Sequence, residues 1–239
     1  MRQEEEMTRK SLLKKLKFSK EDFTEIEQTI KNAEQGTDGE LVIAVAAESS
    51  TYAFWELFIA VITAFTLTVC LLPLAPQIYS WLLKTFGIVQ NWWLPSIYIA
   101  IPVSTVSVLY YLFNIPFFDR IIIPEGVKKY SVDDRAIKCF VKSGVYRTKD
   151  STGILIYVSY FERRVKIIAD SGVSSKITPD LWNLIADEIA ENIGKGKSKE
   201  AFILAAQRCG DILKEYFPSS EPHQNQLPDR LLVLHNQLF

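Results

Sequence analysis

Apolar residues recur along this chain in three rhythms, and each rhythm predicts a different element. Between Ser19 and Gly36, Phe23, Ile26, Ile30 and Ala33 fall three or four apart, the spacing that puts side chains on one face of a helix. Ser19 and Asp22 stand in capping-box spacing at its start, and Gly36 is its stop. Leu41 to Ala47 is an unbroken apolar run, which predicts a strand covered on both faces. A second helix is predicted from Ser131, with Asp134 in capping-box spacing, Val132, Ala136, Cys139 and Phe140 on one side, and Gly144 as terminator. "GILIYVS" and "RVKIIAD" follow as two β-rich runs turning near Phe161 and Glu162, the pattern of an antiparallel hairpin. Two more amphipathic helices are predicted, Asp180 to Asn192 with Leu181, Leu184, Ile185 and Ile189, and Ser198 to Phe217 with Phe202, Ala205, Cys209 and Ile212. The order predicts an α/β sandwich of modest size.

The third rhythm is no rhythm at all: from Phe54 to Leu74 and from Trp93 to Phe118 the chain is almost continuously apolar. At about 1.5 Å of rise per residue, each run approaches the roughly 30 Å of a bilayer's hydrocarbon core. Between Glu56 and Asp119 the only charge is Lys84. Pro73 and Pro76 close the first run, while Pro95 and Pro102 fall inside the second. The connector "PQIYSWLLKTFGIVQNWWLP" carries Tyr79, Trp81, Trp92 and Trp93, suited to the headgroup layer, so it is expected as an interfacial loop. Glu56 is read as an interfacial residue reaching water rather than an intramembrane carboxylate. The expected architecture is therefore a transmembrane helical hairpin over 51–118, inserted at the end of the first strand of a domain made from 19–50 and 119–218. A basic segment, 1–18, precedes that domain and a tail, 219–239, follows it.

Charge and cysteine content narrow the possibilities. With 27 Lys+Arg against 28 Asp+Glu in 239 residues, nothing in the charge favours nucleic acid as a partner. Arg120, Lys128, Lys129 and Arg135 follow the second span, so the positive-inside rule places both flanks, and both termini, in the cytoplasm. The charged start, "MRQEEEMTRKSLLKKLKFSK", lacks the apolar core of a cleaved signal. Cys70, Cys139 and Cys209 show neither disulfide nor zinc spacing.

The pieces "GELVIAVAAES" and "STGILIYVSYFERRVKIIADSGVSSKITPDLWNLIADEIAENIGKGKSKEAFILAAQRCGDILKEYF" resemble the TPM-domain family, and together they cover most of the soluble part. The resemblance implies a small helix-flanked mixed sheet, the TPM-like sandwich, here with its transmembrane insertion. "NQLPD", Asn225 to Asp229, is similar to the tails of small TPM proteins. Family members include bacterial envelope proteins and a thylakoid protein linked to photosystem repair. Some are described as acid phosphatases or as calcium-binding, others as membrane accessory factors, so the resemblance implies a fold more securely than a reaction. Two departures fall at the edge expected to meet a ligand. Many members have Asp-Asn-Gly ahead of the second strand, where this chain has Asp150, Ser151, Thr152 and Gly153, and many have a second glycine where Ser174 and Ser175 follow Gly172.

If the strands from Gly153 and Val165 pair through a tight turn, Asp150 and Asp170 meet at one edge, with Ser151, Thr152 and Ser171 nearby and Asp180 as a further ligand. Such an oxygen-rich set suits Ca²⁺ or Mg²⁺, and a bound cation could polarise a phosphate. Turn and helix-start chemistry explains each of these aspartates separately, so both readings stand. "GKGKS", Gly194 to Ser198, fails the phosphate-loop template because Glu191 occupies the glycine position, and it reads as a helix–helix linker with Ser198 capping the next helix. His223 and His235, both in the tail, assemble no nucleophilic triad. Leu231 to Leu234 is expected to dock on its own domain. Lys10, Lys14, Lys15, Lys17 and Lys20, around Leu12, Leu13, Leu16 and Phe18, read equally as a lipid-contacting segment or a solvated helix. The function expected is a membrane-anchored accessory or interaction module whose partners are the lipid bilayer and a membrane protein complex. A cation-dependent phosphatase using the Asp150/Asp170 edge is the alternative.

Overall fold

The computed structural model describes residues 18–87, 90–113, 120–148, 150–219 and 231–234, together with Leu12, Lys14 and Leu16. Expectations attached to Lys10, Leu13, Lys15, Lys17, Phe118, Asp119, His223, Asn225 to Asp229 and His235 lie outside the described residues. The chain divides into two units, Met1–Ser50 with Gly126–Phe239, and Thr51–Glu125.

The first unit is a mixed sheet of four strands in the order β3-β2-β1-β4, with β1 at Glu40–Ala46, β2 at Gly153–Ser159, β3 at Arg164–Ala169 and β4 at Leu231–Leu234. β1 and β2 are parallel, in register from Glu40↔Gly153 to Ala46↔Ser159. β3 returns antiparallel on β2, as the two β-rich runs predict, and β4 adds a parallel edge to β1. The apolar cluster at Leu231 to Leu234 thus docks on its own domain, and does so as a strand. Every residue of β1 and β2 is buried, because helices cover both faces.

Alternation along the strands divides the core in two. Leu41, Ile43, Val45, Ile154, Ile156 and Val158 face α1 (Lys20–Glu34), α7 (Pro179–Gly194) and α8 (Ser198–Tyr216). Val42, Ala44, Ala46, Leu155 and Tyr157 face α5 (Glu125–Ser143), through its Val132, Ala136 and Cys139. Each fully buried aliphatic side chain contributes about 1.5–3 kcal/mol. Leu12 and Leu16 are buried in the larger cluster, and Phe18 meets Phe23 and Phe202 edge-on at 5.6 and 5.5 Å. The described apolar residues of the basic segment, Leu12, Leu16 and Phe18, are therefore packed against protein.

Helix termini agree with the sequence in part. Ser19 and Asp22 form the capping box, Asp22 N–H donating to Ser19 Oγ at 3.2 Å and Ser19 N–H to Asp22 Oδ2 at 2.8 Å. Gly144 ends α5 in the left-handed region, φ +80°, where a side chain is disfavoured. Ser131, in contrast, caps nothing: α5 begins at Glu125, so Ser131 lies inside it. Ser198 is likewise no cap but the first residue of α8, with Lys197 at the cap position. In both places the helix extends beyond the local capping signal. Between β3 and α7 lies a single turn, α6 (Ser171–Ser174).

The second unit contains α2 (Ala53–Leu71), a 3₁₀ turn (Leu72–Leu74), α3 (Ala75–Phe86) and α4 (Trp93–Phe113). The connector expected as a loop is largely helical: Pro73 and Pro76 sit in first turns, where a missing N–H breaks no helical bond, so they permit α3 to start. Two helical stretches, Ala53–Phe86 and Trp93–Phe113, are long and apolar enough to cross a membrane. α2 and α4 pack along one another, and Tyr98 Oη donates to the Leu71 carbonyl at 2.6 Å. Thr68, Ser80, Thr85, Ser96 and Ser107 each donate to the carbonyl four residues back, so these hydroxyls need no water.

One close approach in the first unit is open to test. A Cβ placed on Gly210 of α8 would lie 2.6 Å from Ala33 Cβ and 2.8 Å from Ala33 Cα on α1. Gly210→Val should therefore cost about 1–3 kcal/mol through overpacking, read as a lowered melting temperature of the detergent-purified chain. Ala33→Gly in the same chain should recover part of that loss.

Candidate functional site

The chemistry-bearing side chains gather at two ends of the β1–β2 pair. At the carboxyl end, Tyr157 and Ser159 project to the α5 side because they are two apart on one strand. Ser49, three residues beyond β1, meets them: its hydroxyl lies 3.0 Å from Tyr157 Oη and donates to Ser159 Oγ at 2.7 Å. Ser159 Oγ in turn donates to Glu162 Oε2, and Glu162 Oε1 accepts the Ser49 N–H at 2.8 Å. Since Ser49 gives its proton to Ser159, it accepts from Tyr157, and the hydroxyls form one directed chain ending on a carboxylate. Arg135, from α5, reaches over the same end, Nη1 lying 3.2 Å from the Glu48 carbonyl and 3.4 Å from that of Ser49.

All five of these side chains are buried. Burial pushes the Tyr157 phenol up to about 12, with the Ser49 hydrogen bond and the Arg135 charge acting against that rise. Tyr157 is thus a neutral donor at any physiological pH, as the directed chain requires. Ligands of open parallel sheets settle outside the carboxyl ends of the strands. Here that position is filled by the protein's own groups, which clasp Glu48 and Ser49 to β2 just before the chain enters α2. Sequence reasoning missed this cluster; its signal was Tyr157 and Ser159, two polar-tipped residues on one face of an otherwise aliphatic strand.

At the opposite end, the structure places the start of β2 beside the end of β3, as the strand pairing predicts: Asp170 N–H donates to the Gly153 carbonyl at 2.9 Å. Gly172 N–H donates to the Ser151 carbonyl at 3.1 Å. A Cβ on Gly172 would come within 2.7 Å of the Asp150 and Ser151 carbonyl oxygens, so only glycine fits. Ser151 has φ +54°, a left-handed conformation in a residue with a side chain. Asp170 caps α6, its Oδ1 accepting the Ser171 N–H at 2.6 Å, while its Oδ2 is buried with no hydrogen-bond partner among the described residues. Asp150 is exposed, and Asp180 sits in the first turn of α7. Among the described residues no three His, Cys, Asp or Glu side chains gather as a metal-binding group, so Asp180 does not complete a set with Asp150 and Asp170.

The clasp makes a direct prediction. Glu162→Ala leaves the Ser49 N–H and the Ser159 hydroxyl buried without an acceptor and should cost about 2–4 kcal/mol, measured by denaturant unfolding of the purified chain. Glu162→Gln, which keeps one acceptor oxygen, should cost less.

Comparison with known proteins adds a family match over part of the chain and a likeness in fold. No curated protein matches the chain. The solved structure of BA42 protein from the psychrophilic bacterium Bizionia argentinensis is similar over 90% of this chain and 94% of that one, with a TM-score of 0.52 and 17% identity, a likeness in fold alone. Residues 120–212, from the approach to α5 into α8, match the family model of the TPM domain.

Proposed function

We propose that this chain is a membrane-anchored accessory or interaction module, with the α2–α4 hairpin crossing the bilayer twice and the TPM-like body on the cytoplasmic face. The observation that carries this reading is the surface of the hairpin. Phe54, Phe65, Trp81, Ile99, Val103, Tyr110 and Tyr111 are each at least 60% exposed, an apolar surface that water would penalise and lipid would accept. Orientation follows from Lys84 being the only charge between Glu56 and Asp119, against the basic residues after the second span. The body would act by binding, within a membrane protein complex, and no reaction is needed for that role.

A second reading is favoured by one specific observation: Asp170 Oδ2 is buried with no hydrogen-bond partner among the described residues. Asp170 and Asp150 would hold a hard cation, Ca²⁺ or Mg²⁺, with help from nearby hydroxyls and carbonyls. Such a cation would supply Lewis acidity toward a phosphate ester. This chain's own part is to keep Asp170 fixed as the cap of α6 and to hold the 150–151 turn against Gly172.

Topology is tested by labelling intact cells with a membrane-impermeant maleimide, in a background where Cys70 is serine. Cys139 and Cys209 stay silent because burial raises their thiols to about 11 and about 12, and only thiolate reacts. Gln90→Cys should label from outside and Lys195→Cys only after permeabilisation; the reverse pattern would overturn the orientation, and release of the chain by alkaline washing would overturn the anchoring. For the second reading, calorimetry of the detergent-purified full chain should show Ca²⁺ or Mg²⁺ binding that Asp170→Asn abolishes. An absence of heat from the folded chain would end it.

A further inference from the structure

α5 covers one face of the sheet with Val132, Ala136 and Cys139 and turns a different face outward. Tyr130, Ile137 and Val141 are 73%, 56% and 51% exposed, and their spacing of seven and four residues sets them in one stripe along the helix. Lys129, Lys138 and Lys142 are interleaved with them and exposed. The adjoining carboxylates are answered within the protein: Asp134 pairs with Lys138 at 2.6 Å, and Asp133 with Lys166 of edge strand β3 at 3.0 Å. Tyr146 and Arg147, also exposed, extend the same composition into the 3₁₀ turn after the helix. On the opposite face of the sheet the balance reverses, since α7 carries Asp180, Asp187, Glu188 and Glu191 and no basic residue. The unit is thus polarised, basic and apolar on its α5 side and acidic on its α7 side.

We propose that the outward face of α5 is a docking surface for an anionic phospholipid bilayer. Lysines reach phosphate headgroups while Tyr130, Ile137 and Val141 enter the headgroup layer, the arrangement by which interfacial helices bind charged lipid. The charge selects this occupant over a second copy joined through the same face, because a two-fold α5–α5 contact would set lysines against lysines. Chain continuity supplies the bilayer: fewer than a dozen residues separate Phe113, the end of α4, from Glu125, a tether of at most about 40 Å. The inference rests on the reading that the hairpin spans a membrane. Docking would hold the body against the cytoplasmic leaflet and leave the acidic α7 side for a partner.

The test uses the full chain, with Cys70 as serine, in nanodiscs of phosphatidylcholine alone or with about 30% phosphatidylglycerol. An environment-sensitive fluorophore is placed by Val141→Cys, or by Asp187→Cys as the control on α7. Quenching of the Val141→Cys probe by headgroup spin-labelled lipid should be at least roughly fivefold stronger in the anionic discs, the factor expected for even one lysine near an anionic surface. K129Q/K138Q/K142Q should remove the difference, as should raising salt on the unchanged chain from about 0.1 M to about 1 M, while the α7 probe should not respond. Equal quenching in both lipids, or protection that appears only with two copies per disc, would overturn the docking proposal with the anchoring intact. Failure of the chain to stay with either disc would overturn the docking proposal and the anchoring together.

Discussion

The structure depends on the parallel pairing of β1 with β2. Seven residues of each strand are in register, from Glu40↔Gly153 to Ala46↔Ser159, and both strands are buried along their whole length. Their partners in sequence are far apart, because the apolar unit Thr51–Glu125 and α5 intervene. Closing so long a loop carries an entropic cost, but that cost grows only logarithmically with length. A large insertion is therefore compatible with the sheet, provided the strand ends around it are secured. The Ser49–Ser159–Glu162 chain, with Arg135 across the Glu48 and Ser49 carbonyls, secures the end from which the insertion departs.

The two ends of this strand pair have different chemical characters. At the carboxyl end the hydroxyls of Tyr157, Ser49 and Ser159 and the Glu162 carboxylate satisfy one another in the interior, which favours rigidity over ligand exchange. At the other end, Ser151 holds a left-handed backbone, Gly172 admits no side chain, and Asp170 Oδ2 is buried without a partner among the described residues. Backbone in a sparsely populated region persists only where its surroundings over-determine it, and such positions cluster at binding sites. This is the physical ground on which the Asp150/Asp170 edge is proposed for a cation, although among the described residues no third acid joins it.

A two-sided sheet also gives the unit two chemically different outer surfaces. Among the described residues, α1, α7 and α8 pack one face and α5, with Val145 of the 3₁₀ turn after it, packs the other, so each layer has an outer surface. Their charges differ in sign, as the contrast between α5 and α7 shows.

What the sequence determined by itself was whatever depends on near neighbours. The 3.6-residue rhythm marked α1, α7 and α8, the β-rich runs marked β1 to β3 and their hairpin, and the uncharged stretches marked α2 and α4, because period and length are local properties of the chain. The cap signals at Ser131 and Ser198 misled because packing carried both helices past them, and the prolines read as ends were also fit to begin α3. Tertiary structure alone decided the pairing of β1 with β2 across the insertion, the use of Leu231 to Leu234 as an edge strand, the burial of Leu12 and Leu16, and the meeting of Ser49, Glu162 and Arg135. Each of these joins residues distant in sequence, and no local periodicity records which distant partner will bury a surface or accept a proton.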